Sequence, residues 1–158
     1  MNVEVLSDAE RGFLAAARRA VLATTTANGK ARLVPICFVV VDAAREALAV
    51  IYSPLDEKPK AAADPRALAR VRDLLARPDV TLLVDRWDED WTRLAWLRCD
   101  GRAELVEPDG PGASEHAGAV DALRAKYPQY RDHALEARLI IRIVVERALT
   151  WGDLAGDD

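Results

Sequence analysis

One short basic stretch carries the residues best suited to chemistry in this sequence. From Lys58 to Arg77 there are six basic residues against two acidic ones, although the whole chain has a net charge of −4. Two of the four lysines fall in the tripeptide Lys58-Pro59-Lys60. The stretch lies where a predicted strand gives way to a predicted helix, and helix N-termini bind anions through free backbone N–H groups. The pattern indicates a phosphate site, with a solvated basic face as the alternative.

Glycine-rich nucleotide signatures are missing from this stretch. The sequence has neither G-x-x-x-x-G-K nor G-x-G-x-x-G, so a P-loop or a Rossmann site is not supported.

A second feature is the group Trp87, Trp91 and Trp96. Flat aromatic side chains suit stacking on a planar cofactor or burial at an interface, and core packing is an equal alternative. Trp151 is predicted to lie in the core or at an interface.

The other reactive residue types form no recognised constellation. His116 and His133 are predicted to lie on surface segments and match no metal-ligand spacing, so no metal site is expected. Cys37 and Cys99 lie in apolar runs and are predicted to be buried packing residues. No serine stands in a G-x-S-x-G context. No catalytic side chain can be named, and an enzyme built from this chain would depend on a cofactor.

Length and charge bound the class of protein. The 158 residues, 51% of them hydrophobic, predict a single domain spanning 1–158. A pI near 5.3 argues against nucleic acid as a partner. No apolar run is long enough to span a membrane, and the first residues do not resemble a signal peptide. We therefore expect a cytoplasmic protein with no membrane partner.

The first third of the chain reads as a helix followed by strands. Ser7 and Glu10 form a predicted capping box. Asn28-Gly29 is a strong hairpin signal between two strands. Pro35 cannot donate to a sheet ladder, so the return strand is predicted to be an edge strand or to carry a bulge. The predicted strands span residues 21–26, 30–41 and 46–53.

The remaining pattern adds two helices and three strands. Asp64-Pro65 is predicted to open a helix. Its apolar face would hold Leu68, Val71 and Leu75, and Arg66, Arg70 and Arg77 would form a stripe on another face. Strong alternation follows, and Gly101 within it indicates a bulge. The later predicted elements are strands 80–85, about 97–105 and 138–150 and a helix from about 115 to 127.

This element order predicts a mainly β fold with flanking helices. Consecutive strands joined by tight turns favour antiparallel pairing, and six such strands tend to curl into a barrel that removes exposed edges.

The order and spacing of several segments carry a family resemblance. "VLATTTANGKARLVPICFVV", "YSPLDEKPK", the basic helix, "PDVTLLVDRWDEDWTRLAWLRCDGRAELVE" and "KYPQY" together resemble the pyridoxamine 5′-phosphate oxidase-like superfamily. More narrowly, the chain resembles its group B flavin/deazaflavin oxidoreductases, which use coenzyme F420. The resemblance covers roughly residues 10–152. It implies a six-stranded split β-barrel that forms a homodimer, with two cofactor sites in grooves at the interface.

The resemblance also implies roles for particular residues. Lys58 and Lys60 occupy the positions that bind the cofactor phosphate, with Arg66 or Arg70 as helpers. Trp87 or Trp91 would reach the cofactor from the partner subunit. The first hairpin would line the ring system through Thr24, Thr25, Val34, Pro35 and Ile36.

The implied reaction is hydride transfer between reduced F420 and a small organic acceptor. A wide cationic groove that included Arg66, Arg70 or Arg72 would favour F420, because its tail is longer and more acidic than that of FMN. Two alternatives remain open at this point. One is an FMN-dependent enzyme acting on a pyridoxamine-like or other small substrate, and the other is a non-catalytic cofactor-binding module.

Overall fold

The computed structural model describes residues 6–43, 48–55 and 68–156. Lys58, Lys60, Arg66 and the predicted helix start at Asp64-Pro65 lie outside these ranges. The described α-helices are α1 Asp8–Ala16, α2 Ala69–Ala76 and α3 Ala113–Lys126. None of the described helices is long and apolar enough to cross a membrane. The strands are β1 Ala20–Thr25, β2 Ala31–Ile36, β3 Val39–Ala43, β4 Leu48–Pro54, β5 Asp79–Arg86, β6 Ala95–Val106 and β7 Ile140–Gly152.

The seven described strands form one antiparallel sheet in the order β2-β1-β5-β6-β7-β4-β3. The predicted mainly β fold with flanking helices is confirmed, but the predicted strand number of six is wrong and the sheet is not closed. The two edge strands, β2 and β3, are separated by only Cys37 and Phe38. The twisted sheet must therefore curl until its edges meet at this corner. Its inner face buries Leu22, Leu97 and Ile141.

The corner explains the extra strand, because the predicted return strand 30–41 breaks there. The Phe38 N–H donates to the Tyr127 hydroxyl at 3.2 Å, and that hydroxyl donates to the Arg18 carbonyl at 3.0 Å. The Ser53 hydroxyl donates to the Cys37 carbonyl at 2.7 Å. Side chains from distant segments thus replace the ladder hydrogen bonds that would have continued the strand.

Four predictions that rest on local signals are confirmed. The Ser7 and Glu10 side chains exchange hydrogen bonds with each other's backbone N–H groups at the start of α1. Gly29 has a φ of 78° in the first hairpin turn, a region that favours glycine. The register of β6 against β7 shifts between Asp100 and Gly101, which is the predicted bulge. Pro35 lies on an edge strand, as its missing N–H requires.

Two predictions about side-chain placement are wrong. His116 is only 3% exposed, and its Nε2–H donates a hydrogen bond to the Arg138 carbonyl oxygen at 2.5 Å. Leu75 is 54% exposed because α2 turns Leu74 into the core instead. For Trp151, which is 52% exposed, the core alternative is excluded, and the interface alternative stays a prediction. Each error concerns which face of an element is buried. That face is determined by packing against neighbouring elements.

The two cysteines differ in burial. Cys99 is buried as predicted, and burial raises the pKa of its thiol to about 12. A thiol in that state is a poor nucleophile at neutral pH. Cys37 is only half-buried, at the corner between β2 and β3.

Lys126, the last residue of α3, brings a desolvated ammonium to the same corner. Its Nζ lies 4.0 Å from the centroid of the Phe38 ring and 5.4 Å from that of Tyr127. This Nζ atom is buried, although the side chain as a whole is half exposed, and it has no hydrogen-bond partner among the described residues. Burial, with a smaller contribution from the nearby Arg18 cation, lowers the pKa of Lys126 to about 8.

Lys126→Met is expected to change the pH dependence of stability. The pKa of Lys126 is lower in the folded protein than in the unfolded one. Below about pH 8 the folded wild type therefore carries an unfavourable charge, and this destabilisation is lost as the pH rises towards 10.5. From pH 7 to pH 10, the free energy of unfolding of the wild type should therefore rise by roughly 1 kcal/mol relative to that of the variant. Solvent screening reduces this value, because the side chain is half exposed. Urea unfolding of both proteins measures the difference. A constant difference across this range would contradict the depressed pKa.

Candidate functional site

The basic helix α2 is fixed to the turn end of the first hairpin by a buried carboxylate. Asp73 accepts hydrogen bonds from Arg32 Nε at 2.7 Å and from the Thr24 hydroxyl at 3.1 Å. Its side chain is buried. The Arg32 hydrogen bond, above all, holds the pKa of Asp73 below its usual value of 3.8. The carboxylate is therefore ionised at neutral pH and links α2 to both strands of the hairpin.

A second contact and an unsatisfied donor lie on the same helix. Arg77 Nε donates to the Thr25 carbonyl at 2.9 Å. Arg70 lies in the first turn of α2, and its Nε is buried without a hydrogen-bond partner among the described residues. A buried N–H that lacks an acceptor costs free energy, so an anionic ligand would be stabilised there. The segment with Lys58, Lys60 and Arg66 leads directly into this turn.

The predicted ring-lining residues fall on both faces and both ends of the hairpin. Thr25 and Pro35 point outward, whereas Thr24, Val34 and Ile36 point inward, as strand alternation requires. The Thr24 hydroxyl already donates to Asp73. Thr24 pairs with Arg32, which is three residues from Pro35 along β2. Thr24 and Pro35 are therefore separated by roughly 10 Å along the strand direction. A planar ring can rest its face on only the outward pair, and the inward residues could act only by positioning the hairpin.

A groove of about 480 Å³ crosses the outer face of strands β2, β1, β5 and β6. Its lining is mainly apolar, with one acidic and one basic side chain. Such a surface suits a flat ring or an apolar surface of another subunit. The lining residues are Val21, Ala23, Leu33, Thr81, Leu83, Asp85, Trp96 and Arg98.

Trp87 and Trp91 lie beyond the other end of this groove. They are 66% and 69% exposed, and both belong to the connection between β5 and β6. Leu83 pairs with Val21 near the start of β1, so Trp87 lies at the end of the sheet opposite α2. Within one chain these indoles are therefore remote from the Arg70 turn.

Sequence reasoning missed both Asp73 and the outer groove. Asp73 gave no signal, because its partners Thr24 and Arg32 lie 49 and 41 residues away. The groove did leave a trace in the segment "DVTLLVD" of β5. Its apolar residues occupy successive positions, a pattern that indicates cover on both faces of a strand.

Comparison with known proteins identifies the fold. The chain matches the family model described as "Pyridoxamine 5'-phosphate oxidase" over residues 6–152. The solved structure of the conserved hypothetical protein Rv2991 from Mycobacterium tuberculosis is 21% identical, with a TM-score of 0.69 over 94% of this chain and 86% of that one. None of the curated proteins matches this chain.

Two further solved structures are similar in fold. HutZ, the heme storage protein from Vibrio cholerae, is 15% identical with a TM-score of 0.64, and the match covers 90% of each chain. A structure named F420 Reductase is 16% identical with a TM-score of 0.62, over 91% of this chain and 98% of that one. At such identities the likeness establishes a split-barrel-like fold alone.

Proposed function

This chain belongs to the pyridoxamine 5′-phosphate oxidase family, whose members are flavin-related oxidoreductases, and we propose that it uses coenzyme F420. In this proposal it transfers a hydride between reduced F420 and a small organic acceptor. The similar fold of an F420 reductase supports the choice of cofactor. The local chemistry of α2 supports it further, because F420 carries a phosphate and an acidic tail.

The observation that carries the proposal is the unsatisfied Arg70 Nε in the first turn of α2. A cofactor phosphate would supply the acceptor that this donor lacks. In the sequence, Lys58, Lys60 and Arg66 precede Ala69, the first residue of α2, and their three positive charges would add to this site. Asp73 and Arg77 hold the helix against the hairpin, so the cationic end would be fixed before the cofactor binds.

The ring system would lie on the outer face of the sheet, next to Thr25 and the apolar groove. An apolar wall of Val21, Leu33 and Leu83 would exclude water from one side of the ring. When bound, the deazaflavin supplies the hydride. The residues of this chain would orient the ring and the acceptor and keep the site dry, and no side chain is assigned a covalent role.

A homodimer completes the proposed site. The groove is open to one side in a single chain, and Trp87 and Trp91 lie at the end remote from α2. Consider a two-fold axis that lies in the plane of the sheet and is perpendicular to its strands. Such an axis would place the Trp87 end of one copy beside the α2 end of the other. It would bring these indoles of a second copy towards the α2 end of the first.

Cofactor titration tests the proposal directly. Purified cofactor-free protein is titrated with F420 and separately with FMN, and binding is followed by fluorescence. We expect tight F420 binding and weak FMN binding. The reverse result would identify an FMN-dependent enzyme, and the absence of binding by either would refute the assigned site.

A non-catalytic binding module is the second candidate, favoured by the similar fold of the heme storage protein HutZ. The two candidates differ in turnover. F420-loaded protein is mixed with a panel of electron acceptors, and loss or recovery of the oxidised cofactor's absorbance is recorded. Binding without turnover across the panel would favour the module.

A further inference from the structure

A thiol and an amine from distant parts of the sequence lie at the corner between β2 and β3. Cys37 belongs to this corner, and its half-buried side chain packs against the apolar cluster that contains Tyr127. Lys126, the residue before Tyr127, extends its Nζ to within 4.0 Å of the centroid of the ring of Phe38, the residue after Cys37. The Phe38 N–H donates to the Tyr127 hydroxyl at 3.2 Å, which holds the end of α3 against the corner.

The electrostatics of the corner relate the thiol to the amine. Burial, above all, and then the Arg18 cation lower the pKa of Lys126 to about 8, whereas the charge of the Cys37 thiolate acts in the opposite direction. Burial and then the Cys37 charge raise the pKa of Tyr127. Arg18, Cys37 and Tyr127 are the charged or titratable groups that face the Lys126 nitrogen, and none of the carboxylates that the structure describes is among its partners. About a tenth of Lys126 is therefore a neutral, nucleophilic amine at pH 7.

We propose that hydrogen peroxide joins Cys37 Sγ to Lys126 Nζ through a sulfenamide bond. The Cys37 thiolate attacks one peroxide oxygen, the O–O bond breaks, and a sulfenic acid and hydroxide form. The neutral Lys126 amine then attacks the sulfur. An S–N bond forms, the S–O bond breaks, and the departing hydroxide takes a proton from the nitrogen and leaves as water. The sulfur is oxidised by two electrons and the peroxide is reduced by two.

The corner favours this cross-link over other fates of an oxidised cysteine. Cys99 belongs to the core on the inner face of the sheet, whereas Cys37 packs against the cluster under α3, so the two thiols lie in different layers. The Lys126 Nζ is buried without a hydrogen-bond partner among the described residues, so the reaction removes a desolvated charge and breaks no hydrogen bond of that atom. Cys37 is half-buried, and a small oxidant such as hydrogen peroxide reaches it from solvent.

Mass spectrometry of the protein after treatment with hydrogen peroxide tests the cross-link. The wild type should lose about 2 Da, trypsin should fail to cleave after Lys126, and dithiothreitol should reverse both changes. Lys126→Met should instead gain about 16 Da as the sulfenic acid, which dimedone traps. Lys30→Met is the matched control, because it removes an exposed lysine from the first hairpin, and it should cross-link like wild type. Cys99→Ala should also cross-link like wild type.

The pH dependence of the second step tests the amine as the nucleophile. With dimedone present during oxidation, the ratio of cross-linked to dimedone-trapped protein should rise roughly tenfold from pH 7 to pH 9, as Lys126 loses its proton. A ratio independent of pH would overturn the proposal.

The variants supply the other decisive outcomes. A wild type that stops at the sulfenic acid, a 2 Da loss that persists in Lys126→Met, or one that disappears in Cys99→Ala and so marks a disulfide, would each overturn the proposal. Should Lys126→Met fail to fold by circular dichroism, Lys126→Arg replaces it. Arginine keeps the charge but has no neutral amine at these pH values, so this variant should likewise stop at the sulfenic acid. The experiment requires neither F420 nor FMN, so its outcome is independent of the cofactor proposal.

Discussion

The double variant Lys58→Ala/Lys60→Ala is expected to bind F420 at least ~100-fold more weakly than wild type. Charge-assisted hydrogen bonds contribute roughly 1.5–3 kcal/mol each, and two of them are removed. The loss should appear mainly as faster dissociation, because the phosphate would keep only Arg66, Arg70 and the backbone of α2 as partners. Fluorescence titration measures the affinity, and stopped-flow displacement measures the dissociation rate.

Lys126→Met provides the control for a lost lysine charge. Lys126 lies at the corner between β2 and β3 and contacts Phe38 and Tyr127 rather than the α2 turn. Its replacement should leave F420 affinity within about twofold of wild type. Unchanged affinity in the double lysine variant would refute the phosphate assignment. Equal losses in the double variant and the control would indicate a general effect of charge.

Local sequence signals predicted much of the fold. Ser7 and Glu10 meet within one helical turn, and Asn28-Gly29 needs only its own backbone to form a turn. Gly101 was identified as a bulge because it interrupts an alternating strand, and the register shift lies there. In each case the physical cause lies within a few residues of the signal, so it can be read without knowing the tertiary structure.

Predictions failed where a distant segment decides the local structure. The return strand breaks at Phe38 because Tyr127, 89 residues away, takes up its backbone N–H. His116 is buried because the backbone before β7 offers an acceptor at Arg138. No pattern near Phe38 or His116 encodes these partners. The same holds for the candidate site. Its basic stretch was predicted from local composition, whereas the role of Asp73 in fixing α2 was not, because the partners of Asp73 are distant in the sequence.

The outer face of the sheet connects the predicted tryptophan cluster with the proposed dimer. Trp96 lines the groove, and Trp87 and Trp91 extend beyond it. Core packing was an equal alternative for each tryptophan, and the structure leaves Trp87 and Trp91 largely exposed. Large exposed indoles beside an apolar groove are typical of surfaces that become buried on association.

Gly101→Ala is expected to destabilise the fold by about 3–4 kcal/mol. A Cβ at this position would lie 2.4 Å from the Val144 carbonyl oxygen and 2.9 Å from Ile143 Cγ2. The first of these is backbone in the neighbouring strand β7, which cannot move aside as a flexible side chain can. Overlap in a packed interior forces strands apart, and this cost is a large fraction of the 5–15 kcal/mol that stabilises a typical domain. Urea unfolding at pH 7 measures the change.

Gly118→Ala is the matched control for the same chemical change. Gly118 lies within α3, and a Cβ there would meet nothing within 4 Å. Alanine is favoured over glycine in a helix, so this variant should be more stable than wild type by roughly 0.5–1 kcal/mol. Opposite signs for the two variants would attribute the loss at Gly101 to the close approach of β6 and β7. A Gly101→Ala protein as stable as wild type would mean that the two strands are further apart at the bulge, and that glycine is not required there.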